Sequence, residues 1–107
     1  MENMFSGAES FNQPLDGWDT GRVKHMEHMF NGARVFNQPI GNWKTGAVKS
    51  FSGMFWESSA FNQPIGNWDP GSATDMSFMF ERAVNFNQPI GGWDTSRVTD
   101  MKYSYLI

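Results

Sequence analysis

The sequence predicts an α/β solenoid of about four 25-residue coils, each pairing a short strand or extended turn with a short helix. Three observations carry that expectation. The motif Phe-Asn-Gln-Pro-(Ile/Leu) begins at Phe11, Phe36, Phe61 and Phe86, a strict interval of 25 residues in a chain of 107. A tryptophan follows each copy, at Trp18, Trp43, Trp68 and Trp93. The second half of each unit then carries apolar residues at helical spacing. A fixed period of this length is the mark of a repeat architecture, in which neighbouring units share one core.

The repeat sets the expected organisation of a single domain, 1–107. A partial repeat, 1–10, precedes three full units at 11–35, 36–60 and 61–85, and a last partial unit runs 86–107. Met4-Phe5 falls where Met29-Phe30, Met54-Phe55 and Met79-Phe80 fall in later units.

The first half of each unit contains a proline and, in the middle units, the turn signals Gly41-Asn42 and Gly66-Asn67. Any strand there is therefore brief, around Ile40 or Ile65, because proline is confined to strand starts and edges. Further short extended pieces are expected at 46–48 and 96–98. In the second half, Met26, Met29, Phe30 and Ala33 stand at i, i+3, i+4 and i+7, as do Phe51, Met54, Phe55 and Ser58, and Met76, Met79, Phe80 and Ala83. That stripe predicts a helix of two to three turns, with Thr74 and Thr99 as its N-caps.

Stacking in register would place equivalent residues in columns. Phe11, Phe36, Phe61 and Phe86, the four tryptophans, and Ile40, Ile65 and Ile90 with Leu15 are expected as core, although an exposed tryptophan ladder could also stack sugars or bases. Asn12, Asn37, Asn62 and Asn87, with Gln13, Gln38, Gln63 and Gln88, are expected to hydrogen-bond one coil to the next. Asp19, Lys44, Asp69 and Asp94 share a column suited to loop capping or a solvated face rather than to cation binding.

Composition narrows the function classes. The net charge is −3 with eight scattered Lys and Arg, so the basic stripe of a nucleic-acid binder is missing. No apolar run reaches the length of a bilayer span, so no membrane insertion is expected. The N-terminus lacks the regions of a signal peptide; the chain is expected to be cytosolic or cut from a longer exported protein. Without cysteine, disulfides and thiolate metal sites are excluded.

No catalytic constellation or phosphate-cradling glycine motif is present, so neither an enzyme nor a cofactor is expected. His25 and His28 lie in His-Met-Glu-His, which differs from the metalloprotease pattern His-Glu-x-x-His. They read as a surface pair, and no metal is expected.

Departures from the repeat supply the candidate site. On the predicted helix, Trp56, Phe78, Tyr103 and Leu106 fall opposite the Met/Phe stripe, where other units are polar. Together they form a candidate patch for a partner or a second copy, the other reading being packing against a neighbouring helix within the solenoid. Met4, Phe5, Tyr105 and Ile107 are candidate end-to-end contacts, since terminal units of a repeat stack ordinarily carry polar caps.

The unit Phe-Asn-Gln-Pro-Ile-Gly-x-Trp-Asp-Thr-Ser-Arg-Val-Thr-Asp-Met, followed by Met-Phe, resembles a known repeat over nearly the whole chain. It is similar to the bacterial surface-protein 26-residue repeat, the mycoplasma-lipoprotein-like family grouped with BspA-type leucine-rich-repeat surface proteins. The resemblance implies a right-handed, leucine-rich-repeat-like solenoid displayed at a microbial cell surface or secreted, and used for adhesion or other binding. The expected function is thus a non-enzymatic module for binding or display of protein or glycan. The alternative is a structural spacer or self-assembling, homo-oligomeric element with no separate ligand.

Overall fold

A computed structural model describes residues 1–101. Its units repeat every 25 residues, but they are not built from a helix and a strand. Among the described residues there is no helix. The only ladder pairing among the described residues is a line of isolated parallel bridges joining His25 to Ser50, Ser50 to Asp75 and Asp75 to Asp100. The expected α/β solenoid, and the leucine-rich-repeat likeness with it, is therefore replaced by an in-register stack of irregular coils made from consecutive β-turns.

The predicted helices fail for a reason visible in the backbone. In 26–33, the N–H of Met29 donates to Met26 O and that of Ala33 to Phe30 O, closing two successive four-residue turns. The third residue of each turn is left-handed: His28 at φ 54 and Gly32 at φ 73. Gly53 and Glu57, then Phe78 and Arg82, repeat this in later units, as Asn3 and Gly7 do earlier. A positive φ at the third position is what a type II turn requires, and it ends any right-handed helix.

The alternate amides point sideways instead. Met26, His28, Phe30 and Gly32 donate to the carbonyls of Ser50, Ser52, Met54 and Trp56 in the next coil, at 2.7–3.1 Å. A helix would have consumed those same amides internally.

Two turns in series also explain the misleading stripe. The first and last residues of a β-turn approach within about 7 Å, so 26 with 29, and 30 with 33, face the same side. Met26, Met29, Phe30 and Ala33 are all fully buried, although no helix carries them.

Thr74 and Thr99 cap nothing. Thr74 N donates to Lys49 O at 2.9 Å and Thr99 N to Thr74 O at 2.8 Å, so each is a rung between coils. The short strands expected near Ile40 and Ile65, and at 46–48 and 96–98, are replaced by turns closed from Trp43 N to Ile40 O, Trp68 N to Ile65 O, Val48 N to Thr45 O and Val98 N to Thr95 O.

The core is a set of aromatic files running across the coils. Phe11, Phe36, Phe61 and Phe86 stack at centroid spacings of 5.8–6.0 Å. A second file, Phe5, Phe30, Phe55 and Phe80, runs beside it at 5.6–5.7 Å. The two files interlock, with Phe30 4.3 Å from Phe36 and Phe55 4.3 Å from Phe61. Offset-stacked rings add specific attraction to the burial of their area.

Polar side chains bind the coils at the surface. Asn37 Oδ1 accepts from Asn62 N at 2.9 Å and from Gln63 Nε2 at 3.1 Å. The same pair of bonds joins Asn12 to 37 and 38, and Asn62 to 87 and 88. Asp19, Asp69 and Asp94 each accept at 3.0 Å from the amide two residues ahead, fixing the turn that follows the tryptophan.

Candidate interaction surface

The repeat determines which positions are free to vary. Trp43, Trp68 and Trp93 are buried and nearly parallel, with centroids 6.4 and 6.3 Å apart. Each indole N–H donates to a carbonyl of the preceding unit: Trp43 to Leu15, Trp68 to Ile40 and Trp93 to Ile65, at 2.9–3.1 Å. Their faces are committed to the stack, so they form no open ladder for sugars or bases. Trp18 is 38% exposed.

Trp56 and Phe78 come together on one flank. Their rings stack with centroids 4.9 Å apart and planes 15° from parallel, and both are half-buried. His28 approaches Trp56 at 6.2 Å. The indole N–H of Trp56 is buried without an acceptor among the described residues, and Phe78 holds a φ of 60. Equivalent positions among the described residues carry Ser6, Asn31 and Glu81, or Asn3, His28 and Gly53, so those coils stack without an aromatic pair; in the sequence, Leu106 and Tyr103 continue the two columns. Tyr103 and Leu106 lie outside the described residues.

Of the candidate end contacts, Met4 is exposed and Phe5 is half-buried between Phe11, at 4.2 Å, and Phe30, at 5.6 Å. Tyr105 and Ile107 fall outside the described residues.

A feature the sequence does not announce is an open cleft of about 420 Å³ whose lining includes Asn42, Trp43, Lys44, Asn67 and Asp69. Asn42 Nδ2 is tied to Asp16 O at 3.0 Å, while Asp69 Oδ1 serves its turn. The 25-residue period was the available signal, since it sets Asn67 beside Asn42 and Asp69 beside Lys44. No helix among the described residues is long and apolar enough to cross a membrane.

An in-register stack with invariant internal files and variable flanks defines a repeat protein whose individuality lies on its sides. The chain belongs to the family described as Mycoplasma protein of unknown function, DUF285, whose model matches residues 1–106. No curated protein matches it, and no solved structure does.

Proposed function

We propose that the chain is a non-enzymatic repeat module that binds protein or glycan at a microbial cell surface through the flank bearing Trp56 and Phe78. The observation that carries this reading is the stacked, half-buried pair itself, at positions that the other described coils fill with Ser, Asn, Glu, His or Gly. Large, rigid aromatic groups of this kind supply contact area at low entropic cost. Membership of the Mycoplasma family supports a surface repeat module, and the acidic balance of charge argues against a nucleic-acid ligand. Glycan and protein arrays probed with the wild type, Trp56→Ala and Phe78→Ala test it. Specific hits lost in both variants are expected; hits retained at full strength would remove the flank from recognition.

A further inference from the structure

We propose that Glu2, His25 and Glu27 form a binding site for a borderline divalent transition ion of the zinc type. One ligand atom from each residue lies within 4.8 Å of the other two. His25 Nδ1 is 2.9 Å from Glu27 Oε1. Zinc–ligand lengths of ~2.0–2.1 Å place two tetrahedral ligands about 3.4 Å apart, so small rotations of these surface side chains bring all three onto one ion. A neutral imidazole and two carboxylates balance a +2 charge, and water would complete the shell. Nitrogen with oxygen ligation suits zinc better than magnesium, which prefers oxygen and keeps its waters.

The spacing is held by the backbone. Asn3 N donates to Glu27 O at 2.9 Å, fixing the coil that carries Glu2 against the one that carries His25 and Glu27. Glu2 stands 25 residues before Glu27, so the repeat stacks one carboxylate beside the other. The fold does not require this. In the same file the next positions are Ser52 and Ser77, whose hydroxyls hydrogen-bond at 3.0 Å. The glutamates and the imidazole are thus particular to the first coils. The His25/His28 pair considered from sequence is not the relevant one, because Asn31 lies beside His28 at 3.4 Å.

Calorimetric titration of the full chain with zinc chloride, with magnesium chloride as control, tests the site. One saturable zinc site is expected, with no comparable magnesium binding. His25→Ala and Glu27→Gln should abolish saturation, Glu2→Gln should weaken it, and His28→Ala should leave it unchanged. An imidazole NMR shift of His25 on titration provides a readout independent of any folding defect in the variants. Absence of saturable binding, or binding lost in His28→Ala and kept in His25→Ala, would overturn the site.

Discussion

The imidazole of His28 lies over Gly53 in the next coil, so that a Cβ at position 53 would fall inside the contact distance of its Cε1 and Nδ1. Gly53 is also left-handed, at φ 62. Gly53→Ala therefore carries two costs. A left-handed non-glycine residue costs roughly 1–2 kcal/mol, and the ring must leave its contact with Trp56. We expect a loss of about 1–3 kcal/mol in urea denaturation. The double variant with His28→Ala should recover the steric part, giving a coupling of at least ~0.5 kcal/mol. Strict additivity would show that the ring does not occupy the space above Gly53.

The two environments of tryptophan give a second prediction. Trp68 is buried between Trp43 and Trp93 and donates to Ile40 O at 3.0 Å. Trp68→Phe loses that bond and part of both stacks, a destabilisation of roughly 1–3 kcal/mol. The N–H of Trp56 has no acceptor to lose among the described residues, so Trp56→Phe should stay within about 0.5 kcal/mol of wild type. Equal losses would contradict the assignment of Trp68 to the shared interior.

The contrast between these indoles marks how far the sequence could be read. The 25-residue period announced that Trp43, Trp68 and Trp93 are equivalent, and the asparagine rungs follow from the same count. The local backbone was misread because Met26, Met29, Phe30 and Ala33 satisfy a helix and a pair of β-turns equally well. Asn3, Gly7, Gly32 and Gly53 held the missing signal: all stand third in a turn, where φ is positive. That signal was obscured by His28, Glu57, Phe78 and Arg82, which occupy the same positions against their own preference. The Glu2–Glu27 proximity was legible only after the coils had been stacked.

Asp94 links the turn after Trp93 to pH. The hydroxyl of Ser96, then its amide at 3.0 Å, hold the carboxyl below its ordinary value; desolvation opposes them, and the charge of Arg97 adds the smallest lowering. A group whose folded pKa is depressed adds stability above its unfolded pKa and loses it as pH falls through the folded one. Asp94→Asn should accordingly lose the small contribution that the charged carboxyl makes at neutral pH and flatten the acid limb, the two profiles converging as pH falls below the usual carboxylate range. Superimposable profiles for the two proteins would show that the Ser96 contacts do not persist in solution.

Arg82 offers the most direct measure of the strain in the turns. It sits at φ 60 on the surface, in the place that Gly7 and Gly32 fill in earlier coils. Substituting glycine removes a left-handed penalty of about 1–2 kcal/mol and adds back about 0.5–1 kcal/mol of chain entropy. Arg82→Gly should thus stabilise the protein by up to about 1 kcal/mol. The reverse change, Gly32→Ala, meets only Gly7 Cα and N at 3.8 Å, so its cost reports backbone conformation without a clash. A loss of about 1 kcal/mol there, opposite in sign to the gain at 82, is the expected pair of results in chemical denaturation. If Arg82→Gly instead destabilised by as much as Gly32→Ala, the turn at 80–83 would have to be right-handed in solution.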